Sequence, residues 1–124
     1  MIFVKAFLVG GAICALGEGI STLYTEVLML PEDVAAPWTS MTMIFLGSLL
    51  TGLGVYDKIG RFAGAGSIVP ITGFANSIVS PAMEFKSEGL VLGMAAKLFS
   101  VAGPVLVYGI GASVLAGLIY CLIW

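Results

Sequence analysis

Long stretches without a charged residue alternate with short charged connections along this chain. Charge-free runs cover residues 34–56, 62–83 and 98–124, and a shorter one covers residues 6–17. A helix needs about 20 apolar residues to cross a hydrocarbon core about 30 Å thick. The first and third of the longer runs meet this requirement in both length and hydrophobicity, so the pattern predicts membrane-spanning helices there.

The amino-terminal segment predicts another long helix. Residues 1–16 are apolar apart from Lys5, whose side chain can extend to the membrane interface. One early lysine and an apolar stretch are also typical of a cleaved secretory signal. The apolar pattern resumes after Glu18, however, and continues to Leu30, which favours one retained helix that runs towards Pro31.

Two proline-containing breaks are expected before the second span. Pro31 is followed by two acids, which suits the first turn of a helix, and residues 35–37 form a second break. The second span is therefore predicted from Trp38 to Tyr56, with both aromatic rings at headgroup depth. Residues 57–61, the most polar short connection of the chain, are predicted to form a loop after it.

The run FAGAGSIVPITGFANSIVS at residues 62–80 is long enough to span a membrane, but glycines and Pro70 interrupt it. Proline removes a backbone donor and clashes with the preceding turn, while every backbone polar group at membrane depth needs an internal partner. The segment is therefore predicted to be a broken or re-entrant helix. Such helices often build permeation sites, but small residues also mark close packing, and the sequence leaves both interpretations open, including for Asn76.

The last third of the chain is predicted to hold two helices after a polar connection. Residues 81–89 are predicted to form a short interfacial helix or loop. The remaining run to the carboxy terminus is too long for one span and too short for two spans and a turn. We therefore expect a half-helix over 89–102, a break at Gly103–Pro104 and a final span closed by the aromatic anchors Tyr120 and Trp124.

Small residues recur at a spacing of four along the last span. They are Gly109, Ser113, Gly117 and Cys121. This row is predicted to be a helix-packing face. Lys97 would lie within the preceding half-helix, where a lysine at membrane depth indicates a functional role and a lysine that extends to the interface is the alternative.

Composition supports a membrane protein. Charged residues make up 10% and hydrophobic residues 60% of the 124 residues, whereas a soluble domain usually carries roughly 25% charge. The fold class is therefore predicted to be an all-α integral membrane protein, a single transmembrane domain over residues 1–124 with about three full spans. Because the chain has no basic stripe, nucleic acid is not expected as a partner.

The few basic residues predict an orientation. Lys5 precedes the first span, Lys58 and Arg61 follow the second, and acids without a basic neighbour occupy the connection at 32–37. Under the positive-inside rule, the amino terminus and the 57–61 loop are predicted to lie on the cytoplasmic side.

The sequence offers little for catalysis or metal binding. It has no histidine, and Cys14 and Cys121 lie in separate apolar segments without metal-ligand spacing. The scattered carboxylates do not form a compact calcium loop, and the glycines at 64–66 lack the rest of a phosphate-binding motif. We therefore expect no enzyme activity, no catalytic residues, no resident metal and no cofactor.

Several strings resemble a known family. They are KAFLVGG at 5–11, TGLGVYDKIG at 51–60, FAGAG at 62–66, VPITGFANS at 69–77 and EFKSEG at 84–89. Over nearly its whole length the chain is similar to the stage V sporulation membrane proteins AC and AE, and its central segment is closer to the AC branch. The resemblance implies a location in the forespore and spore inner membrane of an endospore former.

The resemblance also implies a role and partners. Proteins of this family move dipicolinic acid, as its calcium chelate, into the developing spore and release it at germination. AC and AE relatives are thought to form the membrane channel together, within membrane lipid, and a soluble AD-type partner is thought to gate it. AC-type members are also linked to mechanosensitive opening.

A pathway for dipicolinate needs width, backbone donors and few fixed charges, because the acid is a small planar dianion and its 1:1 calcium chelate is near neutral. We expect Lys97 to attract a carboxylate of the solute. Small and polar residues of the broken segment are expected to line the pathway: Gly64, Gly66, Pro70, Thr72, Gly73 and Asn76. The alternatives are a non-conducting scaffold subunit that uses the row Gly109, Ser113 and Gly117, or a small mechanosensitive or exporter-type protein. An exporter needs a membrane-embedded carboxylate, and Glu18 is the only candidate.

Overall fold

The computed structural model describes residues 1–123, in which helices and turns are present and strands are absent. Three helices have the length and apolarity to cross a membrane: Ile2–Val27, Glu32–Gly52 and Leu90–Ile123. The prediction of an all-α membrane protein with three spans is confirmed. Trp124, predicted as a terminal anchor, lies outside the described residues.

The first two long helices run antiparallel. Helix α1 spans Ile2–Thr22 and continues as one π-helical segment, Leu23–Val27, so the prediction of a single long amino-terminal helix is confirmed. Helix α2 spans Glu32–Gly52. Tyr24, in the π-helical end of the first helix, contacts the first half of α2: its ring centre lies 6.5 Å from that of Trp38, and its hydroxyl lies 2.8 Å from Thr42 Oγ1. The beginning of α1 and the end of α2 therefore share the opposite end of the pair.

The second span starts earlier and ends earlier than predicted. Pro31 is the N-cap, the acids Glu32 and Asp33 occupy the first turn, and Pro37 lies inside the helix without interrupting it. Acids in a first turn interact favourably with the helix dipole, and one proline costs a single hydrogen bond that a membrane helix tolerates. The predicted break at residues 35–37 is wrong for this reason.

The broken segment that the sequence predicts over residues 62–80 is present and extends over residues 56–84. Helix α3 spans Tyr56–Ala63, α4 spans Ala65–Ile68 and α5 spans Ile71–Glu84. Gly64 has a φ of 55°, which favours glycine, and it separates α3 from α4. Pro70 caps α5 with a ψ of 162°, outside the helical region. Residues 57–61 are thus helical, and the prediction of a loop there is wrong.

The carboxy-terminal part contains one long helix instead of a half-helix and a span. A 3₁₀ turn at Phe85–Glu88 leads through Gly89, with a φ of 104°, into a π-helical segment at Leu90–Ala95 and then α6, Ala96–Ile123. Pro104 lies inside α6, so the predicted break at Gly103–Pro104 and the separate half-helix over 89–102 are wrong. The backbone changes direction at Gly89, where the left-handed φ suits glycine.

The interior is built mainly from alanines. The buried apolar residues are Ala35, Met43, Tyr56, Ala63, Ala75 and Ala102. Most of the large aliphatic and aromatic side chains face outwards instead, on every long helix. Small residues inside let helix backbones approach closely, while lipid solvates the outer apolar side chains. The arrangement is that of a membrane protein, because so large an apolar exterior is unfavourable in water.

Candidate functional site

The broken segment enters and leaves the helix pair at one end, in the manner of a re-entrant hairpin. The Lys5 ammonium near the start of α1 lies 4.6 Å from the ring centre of Phe62 in α3. Helix α4 then packs beside Gly10, the chain turns at Pro70, and α5 runs parallel to α2 towards Asn76, beside Thr51. Both limbs therefore reach the end shared by the start of α1 and the end of α2.

Two glycines allow the hairpin backbone to pack directly against neighbouring backbone atoms. A Cβ atom at Gly66 would lie 2.7 Å from the Ala6 Cα of α1, and one at Gly73 would lie 2.8 Å from the Ile68 carbonyl carbon. The parallel contact between α5 and α2 is equally tight, because a Cβ at Gly47 would lie 2.9 Å from the Thr72 Cα. Contacts this short leave no room for any side chain.

Hydroxyl groups hold the two limbs of the hairpin together. Tyr56, 3% exposed, donates to the carbonyl oxygen of Ser67 at 2.7 Å and lies 2.8 Å from Thr72 Oγ1. Its ring therefore joins α3, α4 and α5. The prediction that Tyr56 is an interfacial anchor is wrong, because its hydroxyl satisfies buried polar groups that would otherwise be costly.

Asn76 is fixed by the second span. The Thr51 hydroxyl, itself buried, lies 2.7 Å from the Gly47 carbonyl oxygen and 2.9 Å from Asn76 Oδ1. The single Thr51 hydroxyl proton is shared between these two oxygens, and the Asn76 Nδ2 group retains donor capacity. Asn76 makes the interhelical hydrogen bond expected of a packed residue and still borders a cavity.

A polar pocket of about 450 Å³ opens between the limbs of the hairpin. It combines charged side chains, an amide, hydroxyls and bare backbone: Tyr56, Asp57, Gly60, Arg61, Ser67, Ile68, Gly73 and Asn76. Its volume falls in the range typical of small-molecule sites. Two larger grooves, of about 710 and 620 Å³, are lined almost entirely by apolar side chains. The polar pocket is the candidate functional site.

The structure separates the seven residues predicted to line a pathway. Gly73 and Asn76 border the polar pocket. Gly66 and Pro70 border the 620 Å³ apolar groove beside α1, and Thr72 borders the 710 Å³ groove. Gly64 forms the break before α4 and is only partly buried. Their roles in transport stay predictions.

Lys97 lies apart from the polar pocket. Its ammonium is 4.7 Å from the ring centre of Phe85, in the turn that follows α5. Nine residues separate Phe85 from Asn76, which is roughly 13 Å of helix. The lysine is exposed, and its role, at the interface or beside a pathway, stays a prediction.

The sequence identifies only two of the eight residues that line the pocket, Gly73 and Asn76. The other six receive an anchor role, a place in a loop or no role: Tyr56, Asp57, Gly60, Arg61, Ser67 and Ile68. The available signal is the spacing of four between Asp57 and Arg61, which places both on one face only if residues 56–63 are helical. That helix was not predicted.

The predicted packing row is open in the described chain. A Cβ atom at Gly109 or Gly117 would have no heavy atom within 4 Å, and Ser113 bonds only the Gly109 carbonyl oxygen of its own helix. Every described residue from Pro104 onwards is exposed. Within residues 1–123, Gly109 and Gly117 therefore pack against no other helix.

Comparisons with known proteins agree with the architecture. Residues 2–119 match the SpoVAC/SpoVAEB sporulation membrane protein family, a description that names no catalytic activity. The chain is 54% identical over 116 residues to stage V sporulation protein AC of Bacillus subtilis (strain 168), a match that covers 94% of this chain and 77% of that relative. No solved structure matches. The chain with this re-entrant hairpin therefore belongs to the SpoVAC/SpoVAEB family of sporulation membrane proteins.

Proposed function

We propose that the chain is a subunit of a membrane channel that moves dipicolinic acid, as its calcium chelate, across the spore inner membrane during sporulation and germination. The observation that carries the proposal is the re-entrant hairpin, which places a polar pocket between α3 and α5 in an otherwise apolar protein. Membership of a sporulation membrane family supports the setting. Discontinuous helices supply polar backbone groups to solutes at membrane depth.

The channel is proposed to be an assembly. The polar pocket is open on one side and borders a single hairpin, so a continuous pathway requires further subunits, for which AC and AE relatives are the proposed partners. The exposed row of Gly109, Ser113 and Gly117 offers a surface where another helix can approach closely. A soluble AD-type partner is proposed to gate the pathway, and the amino terminus and residues 57–61 are proposed to face the cytoplasm.

The proposal is tested by replacing Asn76 with leucine and measuring the dipicolinate content of spores. Leucine has the same branched shape but no donor for a carboxylate, so the content is expected to fall severalfold at normal protein level. Normal content at normal protein level would overturn the role of the pocket in transport.

A matched control separates transport from packing. Thr51→Val removes the hydrogen bond to Asn76 Oδ1 but keeps the amide at the pocket. Near-normal dipicolinate content is expected for this variant. An equal loss in both variants would indicate that Asn76 acts through the helix contact alone.

One observation favours a second function, that of a non-conducting scaffold. Residues 104–123 are exposed on all sides, as expected of a helix whose main role is to contact other chains. Liposomes that contain the assembled complex distinguish the two functions. Unchanged dipicolinate flux through an intact Asn76→Leu complex, together with loss of the complex in Gly117→Leu, favours the scaffold, whereas reduced flux through an intact Asn76→Leu complex favours the channel.

A further inference from the structure

The 710 Å³ groove runs along α1 and α2, outside the polar pocket. Mainly aliphatic side chains form both of its walls, between Leu8 and Ile20 on α1 and between Met43 and Leu50 on α2. The wall on α1 is roughly 18 Å long, since each residue advances a helix by about 1.5 Å. One leaflet supplies half of a hydrocarbon core about 30 Å thick, which is about 15 Å. The groove therefore has the length of one leaflet.

The groove is open to the side. Leu8, Leu16 and Leu49 line it and are nevertheless exposed, so a molecule in the surrounding membrane can enter it. An apolar cavity of this size does not hold water, and an empty one would deprive its lining of dispersion contacts. The groove therefore favours an apolar occupant.

The polar groups inside the groove are already engaged. The hydroxyls of Tyr56 and Thr72 lie 2.8 Å apart, and Tyr56 also donates to the Ser67 carbonyl oxygen at 2.7 Å. Hydrocarbon can therefore cover this part of the groove without leaving a buried hydroxyl without a partner.

Two ammonium groups mark one end of the groove. Lys58 lines it and shares a face of α3 with Phe62, which also lines it. The Lys5 ammonium lies 4.6 Å from the Phe62 ring centre. Both lysines are exposed, and within residues 1–123 neither forms an ion pair. Asp57 precedes Lys58 but borders the polar pocket instead. An anionic group at this end would meet two uncompensated positive charges.

The composition of the walls favours a flexible chain over a helix of another subunit. Membrane helices approach each other closely through glycine and other small residues. Among the described residues that line the groove, glycine is absent and Ala12 is the one alanine. An acyl chain can follow a wall of leucine and isoleucine side chains, because it has no backbone of its own that must come close.

We propose that this groove binds one acyl chain of an anionic phospholipid, whose phosphate is held by Lys5 and Lys58. Basic groups between membrane helices on the cytoplasmic side suit anionic headgroups, and the positive-inside rule assigns both lysines to that side. The site is separate from the polar pocket, so it does not depend on which solute the protein moves.

The test measures lipid binding to the purified full chain in detergent by native mass spectrometry. The probes are dioleoyl phosphatidylglycerol, dioleoyl phosphatidylcholine, and glycerol phosphate, which has the phosphate but no acyl chain. The wild-type chain is expected to bind the anionic lipid about tenfold more tightly than the zwitterionic one, which corresponds to about 1.4 kcal/mol. Equal affinity for the two lipids, or displacement of bound lipid by glycerol phosphate, would overturn the proposal.

Charge variants assign this preference to residues. Lys5→Gln and Lys58→Gln are each expected to reduce the preference to about threefold, and both together to about equal affinity. Lys86→Gln is the control, because Lys86 is exposed in the turn at Phe85–Glu88 and lines neither this groove nor the polar pocket. A preference that persists in the double variant, or an equal loss in Lys86→Gln, would overturn the proposal.

A second pair of variants tests the acyl chain. Ala12→Phe places a ring inside the groove and is expected to weaken binding of both lipids about tenfold. Ala15→Phe adds the same ring at an exposed position of α1 that does not line the groove, and wild-type affinity is expected. Equal affinities in these two variants, at equal unfolding midpoints, would show that the chain lies elsewhere and overturn the proposal. The lysine variants leave the groove unfilled, so they test the site independently of how Ala12→Phe folds.

Discussion

Two regions of this molecule are rich in small residues, and the structure uses them in opposite ways. In the re-entrant hairpin, Gly66 lies against the backbone of Ala6, and Gly73 lies against that of Ile68. Along α6, a Cβ atom at Gly109 or Gly117 would meet no other described part of the chain within 4 Å. The same residue type therefore closes the interior of the chain in one region and leaves an open surface in the other.

Small residues at a regular spacing therefore predict that another helix packs closely there, but they do not identify which helix it is. The hairpin has its partner within the chain, so its glycines contribute to the stability of the isolated protein. Gly109 and Gly117 of the α6 row have no partner helix within the described residues, so they can contribute to stability only when another helix covers them. Substitutions that add one methyl group distinguish the two cases.

The largest effect is expected from Gly73→Ala. Its Cβ would overlap the backbone carbonyls of Ser67 and Ile68, which cannot move as a flexible side chain does. Overpacking of this kind costs about 1–3 kcal/mol or more, so we expect a clear fall in the thermal unfolding midpoint of the purified chain in detergent.

The control for this substitution is Gly11→Ala, since a Cβ at Gly11 would meet nothing within 4 Å in α1. Its midpoint is expected to stay at or above that of the wild-type chain. If Gly73→Ala melted at the same temperature as this control, the tight packing of the hairpin would be refuted.

The prolines show why the breaks were only partly predictable. Pro37, Pro70 and Pro104 all interrupt apolar sequence, yet only Pro70 begins a new helix. The two tolerated prolines are exposed positions in long helices, where each costs a hydrogen bond but no packing. Pro70 follows a four-residue helix already held by the Gly66 and Ser67 contacts, and those contacts depend on distant residues that a local pattern does not reveal.

An intermediate effect is expected from Tyr56→Phe. The ring stays in place, but the Ser67 carbonyl oxygen and the Thr72 hydroxyl lose a buried partner. An unsatisfied buried polar group costs about 1–3 kcal/mol. Because the backbone keeps its place in this variant, whereas Gly73→Ala displaces backbone atoms, the unfolding midpoint is expected to fall by less than in Gly73→Ala.

Tyr108→Phe provides the matched control, because Tyr108 is 79% exposed on α6. No change in midpoint is expected. Equal changes in the two variants would show that the Tyr56 hydroxyl does not hold the hairpin.

The sequence predicts only those residues of the candidate site that stand out by their own type and position in the chain. Asn76 stands out as the most polar residue of an apolar run, and Gly73 follows a proline, so both were identified from the sequence. Asp57 and Arg61 were not, because their pairing requires residues 56–63 to form a helix that folds back beside α5. A short charged stretch after a span is typical of a loop. Residues 57–61 become part of the site because the adjacent Tyr56 is buried and fixes their helix beside the pocket.

The smallest effect is expected from Gly109→Ala in the isolated chain. Alanine is favoured over glycine inside a helix by roughly 0.5–1 kcal/mol, and the added methyl group meets no neighbour. The unfolding midpoint is therefore expected to stay unchanged or rise slightly, in contrast to Gly73→Ala.

The informative measurement is the same substitution in the assembled complex. If a second helix covers the row, the methyl group enters that contact and co-purification of the other subunits falls, although the isolated chain is no less stable. Unchanged assembly would leave the row facing lipid, and the likeness between the two glycine-rich regions would then be one of sequence only.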